Sequence, residues 1–212
     1  AEWDDDSYSK AWLGNIAHEF DIWLLAGSLI MRRRDNNQLV NRSLLFGPDG
    51  AVVADYDKIH MFDADVGDGK SYQESASFAA GQSPVIAHVG NVPCGLTICY
   101  DVRFAHLYRQ LALDGAQLFF VPAAFTALSG KAHWHVLLRA RAIETGCYVV
   151  APAQSGTHAD GRKTYGHSLI INPWGEIIAE AKDGDAIIYA TLDFSATAKA
   201  QNAIPSLTTN PV

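Results

Sequence analysis

The run Gly95-Leu-Thr-Ile-Cys99-Tyr-Asp-Val-Arg103-Phe104 puts one thiol at the end of an apolar stretch, just before a polar turn. An amphipathic run begins at Phe104. This pattern predicts a buried strand, a tight elbow and a helix start, with Cys99 at the corner. A thiol placed there stands at the mouth of a sheet, close to helix N–H groups that favour an anion. Thiolate is the attacking form, and a nearby cation would lower the thiol pKa from its usual value of about 8.5. Cys99 is therefore a candidate nucleophile for covalent catalysis. Taken alone, a cysteine in an apolar strand more often fills a core, and that is the reading for Cys94 and Cys147.

The elements that must position Cys99 can be read in order. Ser7 to Phe20 has helical spacing at Trp12, Ile16 and Phe20, with Ser7 or Asp6 as cap. Ile22–Ile30, Leu39–Phe46 and Val52–Tyr56 read as strands of a meander, joined by the turns Asp35-Asn-Asn37 and Gly47-Pro-Asp-Gly50. Residues 57–83 have little periodicity, and such long connections are often functional. This one carries Lys58, His60, Asp63, Asp65 and Glu74. Pro84–Val89 and Pro93–Ile98 lead as strands to Cys99. A helix follows, with Phe104, Leu107, Tyr108 and Leu111 on one face. Gln117–Val121 is a strand, and Lys131–Thr145 is a helix with Val136, Ala140 and Ile143 as its stripe and Gly146 at its end. Cys147–Ala153, Gly166–Ile171, Ile177–Glu180 and Ala186–Leu192 complete the strands. Residues 155–163 read as polar loop, and the chain from Ala196 as a tail. Hairpins mixed with crossovers predict sheets of mixed direction flanked by helices, an α/β layered architecture.

Composition narrows the function classes. The 212 residues, 49% hydrophobic and 18% charged, suit one globular domain. A net charge of −7 argues against a nucleic-acid partner, and Arg32-Arg33-Arg34 reads as solvated loop. The acidic opening Ala1-Glu2-Trp3-Asp4-Asp5-Asp6 is unlike a signal peptide. No apolar run approaches the ~18–20 residues of a membrane span. Three cysteines without metal-type spacing fit a reducing cytoplasm with a free thiol. His133 and His135 are two apart, so on a helix they face different sides, and neither they nor His60 and His167 have the partner spacing of a metal site. The expectation is no metal and no cofactor.

Lys58-Ile-His-Met-Phe-Asp63, then Glu74, then the Gly95–Phe104 run resemble the nitrilase (carbon–nitrogen hydrolase) superfamily. Ala132-His-Trp134, Arg139-Ala-Arg-Ala-Ile-Glu144, Tyr165-Gly-His-Ser168 and Asn172-Pro-Trp-Gly175 resemble further blocks in the same order. The similarity runs from about Trp12 to Pro205 and is nearest to the ω-amidase and deaminated glutathione amidase branch. The resemblance implies a four-layer α-β-β-α sandwich that pairs into homodimers or higher homo-oligomers, acting on a small-molecule amide. It implies a Glu–Lys–Cys set in which Cys99 is the nucleophile, Lys58 the lysine and Glu74 a supporting glutamate. The general-base glutamate of the family follows an N-terminal strand–helix–strand unit, which takes about 30 or more residues. On this reading residues 1–212 are one domain lacking that unit, with the base and two central strands upstream, and fold poorly alone because edges are unpaired.

The chemistry so implied is hydrolysis of an amide through a cysteine acyl-enzyme. Lys58 and the Tyr100 N–H would steady the oxyanion, and a carboxylate would shuttle the proton. Glu74 is chemically able to do this, although the resemblance gives it the task of orienting the lysine. Arg103 either pairs with Asp101 or Asp114 or holds a carboxylate of the substrate. Trp134 and Phe125 either fill the core or line the pocket. Glu144 reads as a structural partner of Arg139 or Arg141. Nitrile or N-carbamoyl hydrolysis on the same scaffold, or a non-catalytic homologue that lost its base, are the alternatives.

Overall fold

A computed structural model describes residues 1–4, 7–182 and 184–209, so Asp6, the alternative cap, lies outside the described residues. The first half of the chain forms β1 (Glu2–Trp3), α1 (Tyr8–Glu19), β2 (Leu24–Arg32), β3 (Leu39–Phe46) and β4 (Val52–Asp57). It continues with a short hairpin of β5 (Asp63–Asp65) and β6 (Ser71–Gln73). Then come β7 (Val85–Val89), β8 (Val92–Leu96), α2 (Ala105–Leu113), β9 (Leu118–Phe120), α3 (Ala127–Thr145) and β10 (Tyr148–Ala151). A second small hairpin, β11 (Ser155–Thr157) with β12 (Lys163–Tyr165), precedes β13 (Leu169–Ile171), β14 (Ile177–Glu180) and α4 (Ser195–Ala203).

The strands assemble into one sheet ordered β1-β2-β3-β4 and a second ordered β14-β13-β10-β9-β8-β7. Their directions are mixed. In the second sheet β8, β9 and β10 run parallel because α2 and α3 are crossovers, while β7, β13 and β14 are antiparallel additions. Period-two alternation builds the layers. In β3, Val40, Leu44 and Phe46 face α1, where Ala17 is buried against them. Leu45 points the other way and, with Tyr56, meets Ala87, Leu96 and Ile98 of the second sheet. The outer face of that sheet, Phe119 and Val149 among others, is covered by Leu107, Tyr108 and Leu111 of α2 and Trp134, Leu138 and Ala142 of α3. The order α-β-β-α follows, and each large apolar side chain buried in it contributes about 1.5–3 kcal/mol.

Several sequence expectations change. Helix α1 is capped by Ser7, whose Oγ accepts the Lys10 N–H at 3.1 Å. Its buried positions are Gly14 and Ala17, while Trp12 and Phe20 are exposed. Helix α3 shows the same inversion. Val136 and Ile143 are exposed, and Trp134, Leu138, Arg141 and Ala142 are buried. Both stripes have helical spacing, and periodicity does not say which one meets a sheet. The loop at 155–163 contains the arms of the β11–β12 hairpin. Ala186–Leu192 forms no strand, and Ile187 and Tyr189 are exposed with no strand beside them among the described residues. The expected tail is α4, opened by Asp193, whose carboxylate accepts the Ser195 N–H at 3.0 Å. Arg33 is not simply solvated: with Arg42 it binds the largely buried Asp57 carboxylate.

Candidate active site

Lys58 is the first residue after β4, and its backbone is pinned on both sides. Its N–H donates to the Asn41 carbonyl at 2.9 Å, and its carbonyl accepts the Gly81 N–H at 2.8 Å. The side chain is only 3% exposed. A buried ammonium needs a counter-charge, and Lys58 Nζ donates to Glu74 Oε2. The same oxygen accepts the Phe62 N–H at 2.6 Å. Glu74 opens a short 3-10 turn directly after the β5–β6 hairpin, so that hairpin brings position 74 back to position 58. This is why residues 57–83 show no single periodicity: they are a clasp.

Cys99 stands just beyond β8, with a left-handed backbone of φ +49°. A non-glycine residue held there costs on the order of 1–3 kcal/mol and persists only when its surroundings enforce it. The enforcement is visible. The Cys99 N–H donates to the Pro122 carbonyl at 2.9 Å. Asp101, fully buried, accepts the Ile98 N–H at 2.8 Å and the Tyr56 hydroxyl at 2.8 Å on Oδ2. Its Oδ1 accepts the His60 N–H at 3.1 Å and lies 2.7 Å from His60 Nδ1. One carboxylate therefore ties the chain on either side of Lys58 to the elbow on either side of Cys99. The turn after Cys99 is a 3-10 segment through Arg103, and the α-helix begins at Ala105 rather than Phe104.

Cys99, Lys58 and Glu74 line one open cavity of about 860 Å³, together with Phe62, Gln154 and Arg162. Burial pushes the Cys99 thiol up, while the Lys58 charge and the Ala124 N–H pull it down and Glu74 and Asp101 oppose them. The net direction is upward, which corrects the expectation of a thiol lowered by its cation. Burial outweighs the lysine because Glu74 already balances the ammonium charge. A thiol of this kind is protonated at neutral pH and needs a base at the moment of attack.

The remaining predicted residues fall elsewhere. Tyr100 and Arg103 border an adjoining cavity of about 480 Å³, separated from the first by Phe62, which lines both. Arg103 pairs with neither Asp101 nor Asp114. Its guanidinium lies 5.2 Å from the Phe125 ring centre and 5.9 Å from that of Tyr100, and its Nη2 is 3.2 Å from His133 Nδ1. Phe125 and Trp134 pack against each other at 5.0 Å between ring centres, and neither lines the Cys99 cavity. Trp134 is wholly buried and donates Nε1–H to the His167 carbonyl at 2.8 Å, so the core reading holds for it. Arg141 pairs with Glu144 on α3.

Two features escaped the sequence. The Asp101 hub was invisible because its partners lie 41 and 45 residues away. Arg162, in the polar loop, lines the cavity, and its Nε is buried without a hydrogen-bond partner among the described residues. A lone basic residue in a loop carries no signal of that kind.

Residues 1–202 match the model of the carbon–nitrogen hydrolase family. Over 204 residues the chain is 44% identical to a deaminated glutathione amidase of Synechocystis sp., covering 94% of this chain and 74% of that protein. It is 38% identical over 193 residues to the omega-amidase NIT2 of Homo sapiens, covering 91% of this chain and 69% of that protein. Among solved structures, Saccharomyces cerevisiae Nit3, a member of branch 10 of the nitrilase superfamily, matches with a TM-score of 0.87 at 31% identity, over 98% of this chain and 72% of that one. A mutant of the amidase from Nesterenkonia sp. AN1, with the acetamide moiety of fluoroacetamide added covalently at its active-site cysteine, matches with a TM-score of 0.71 at 28% identity, over 82% of this chain and 62% of that one.

Proposed function

The chain belongs to the carbon–nitrogen hydrolase family, and from that premise we propose that it hydrolyses a small linear amide through an acyl-enzyme on Cys99. The observation that carries this reading is the shared cavity. It joins a thiol on an enforced elbow to a buried Lys58–Glu74 pair.

The steps follow from the groups present. A carboxylate takes the Cys99 proton as Sγ attacks the amide carbonyl carbon. The oxyanion that forms is met by the Lys58 ammonium and the Tyr100 N–H, a donor of this kind being worth about 3–4 kcal/mol. The C–N bond then breaks, and the carboxyl returns the proton to the leaving nitrogen, releasing ammonia. Water attacks the thioester, and the acid leaves with the thiol restored. Glu74 is engaged by Lys58 and the Phe62 N–H, so its task here is to orient the lysine. The proton then goes to a second carboxylate, the general-base glutamate that the family resemblance implies.

Arg162, rather than Arg103, suits the role of holding a substrate carboxylate, because it is the arginine that lines the Cys99 cavity. A carboxylate-bearing ω-amide suits that wall. The setting is a reducing cytoplasm, in keeping with three free thiols. No helix among the described residues is long and apolar enough to cross a membrane. The association is a homodimer, supported by the exposed apolar side chains Val136, Ile143 and Trp174.

The test is intact-mass spectrometry of the protein mixed with amides, nitriles and N-carbamoyl compounds. An acyl adduct localised to Cys99 with ω-amides of dicarboxylic acids supports the reading. An adduct formed only with nitriles or N-carbamoyl compounds reassigns the reaction, and no adduct with any of them removes Cys99 from its role.

A further inference from the structure

On the outer side of the second sheet, three potential metal ligands converge from separate elements. His135 comes from α3, His167 from the turn before β13, and Glu180 from the end of β14. His135 Nε2 lies 3.0 Å from Glu180 Oε1, and His167 Nδ1 lies 2.9 Å from the same oxygen. All three donor atoms lie within 4.8 Å of one another. The mechanism proposed above uses none of them.

We propose that His135, His167 and Glu180 form a binding site for one divalent transition-metal ion, with Zn²⁺ as the representative. Two imidazoles and one carboxylate are a ligand set that zinc accepts with a fourth, open position. Bonds of about 2.0–2.2 Å in a tetrahedron put ligand atoms roughly 3.3 Å apart. The two N···O separations are within a few tenths of an ångström of that value, and the two nitrogens lie within 4.8 Å of each other, so side-chain rotation can close the three around an ion. The three groups remain partly exposed, which leaves a path for entry.

The rings are held by more than their carboxylate. The Tyr165 ring stacks on His167 at 4.3 Å and meets His135 edge-on at 5.9 Å. The backbone at His167 is left-handed, φ +55°, and its carbonyl is fixed by the Trp134 indole N–H. A non-glycine residue in that conformation costs free energy, and such outliers gather at ligand sites. Aromatic and backbone partners that fix imidazole orientation are what a ligated histidine needs around it. A bound ion would tie α3 to the β13–β14 hairpin. It would also stiffen the turn that continues into Ser168, a wall residue of the Cys99 cavity. The ion takes no part in the mechanism proposed above, and its binding is independent of which amide is cleaved.

The test is zinc binding by equilibrium dialysis with elemental analysis, using chelator-stripped protein alkylated with iodoacetamide so that exposed thiols cannot compete. The same measurement is made on His135→Ala, Glu180→Gln and the ligand-retaining His135→Asp, each checked for native circular dichroism. The proposal expects one Zn²⁺ per chain at micromolar concentration and a raised melting temperature with zinc. It expects at least a tenfold loss of affinity in the first two variants and partial recovery in His135→Asp. Stoichiometric binding that survives both His135→Ala and Glu180→Gln, or no binding by the parent protein, overturns it. Variants that lose their fold are replaced by histidine modification with diethyl pyrocarbonate, and failure of Zn²⁺ to protect His135 and His167 from it equally overturns the proposal.

Discussion

Asp101 accepts the Tyr56 hydroxyl at 2.8 Å, and through that bond the strand leading to Lys58 is fastened to the elbow that carries Cys99. Tyr56 and Asp101 are fully buried between the sheets. The phenol is pushed well above its usual pKa by burial and by the adjoining carboxylate, so it stays a donor. The relative position of thiol and lysine thus depends on a residue that touches neither the cavity nor the substrate.

Replacing Asp101 with Asn keeps the shape and turns an NH₂ group towards donors that previously met oxygen. Two donors are set against each carboxylate oxygen, so either amide orientation leaves a clash of donors. We expect a loss of about 3 kcal/mol in stability and about 100-fold in kcat, since misplacement by about 1 Å has that effect. Urea unfolding and ammonia release measure the two. A tenfold or smaller change in kcat with intact stability would show that the hub is dispensable.

Lys58→Met removes the ammonium and leaves Glu74 facing Phe62 alone. Acylation is expected to slow by about 10²–10³-fold. Glu74→Gln keeps an acceptor for the Phe62 N–H and should be milder than Glu74→Ala. Rapid-quench measurement of the acyl-enzyme distinguishes these outcomes, and equal rates in Glu74→Gln and Glu74→Ala would exclude an orienting role.

The partly exposed Cys99 thiol has a pH signature. Its pKa is raised in the folded protein, mainly by burial and despite Lys58. Folding therefore favours the protonated thiol. That contribution is fully present below the unfolded pKa, about 8.5, and is lost as pH rises through the folded value. The melting temperature of the parent protein should fall relative to Cys99→Ala above about pH 8.5. The rate of alkylation by iodoacetamide should keep rising beyond that pH, with a still higher midpoint in Lys58→Met.

Asp57 has the opposite sign. Burial pushes its carboxyl up, but hydrogen bonds from Arg42 and Arg33 outweigh this and hold it below the usual carboxylate range. Its stabilising contribution is present above the unfolded pKa of about 3.9 and is lost as pH falls through the folded value. Asp57→Asn should cost about 3 kcal/mol at pH 7, as when one partner of a buried pair is removed, and the cost should shrink below pH 4. Acid titration of stability in both proteins checks this.

Arg162→Gln should raise KM for a carboxylate-bearing ω-amide by about tenfold or more, with little effect on an uncharged amide of similar size. Equal effects on both substrates would remove Arg162 from recognition.

Read alone, the sequence determined whatever is local in the chain. Leu39–Phe46 read as a strand, Ser7 and Gly146 marked helix ends, and the spaced blocks around Lys58, Glu74 and Cys99 were sufficient to identify the family. Tertiary structure decided which helix stripe is inside, because Val136 and Leu138 have equal claims until a sheet is placed beside them. It also decided that Trp134 is core, that Arg162 rather than Arg103 reaches the cavity, and that the Cys99 thiol is raised. Each of these depends on groups far apart in the chain. Hydrogen bonding, desolvation and charge act over a few ångströms of space, and sequence distance carries no record of them until the two sheets close on one another.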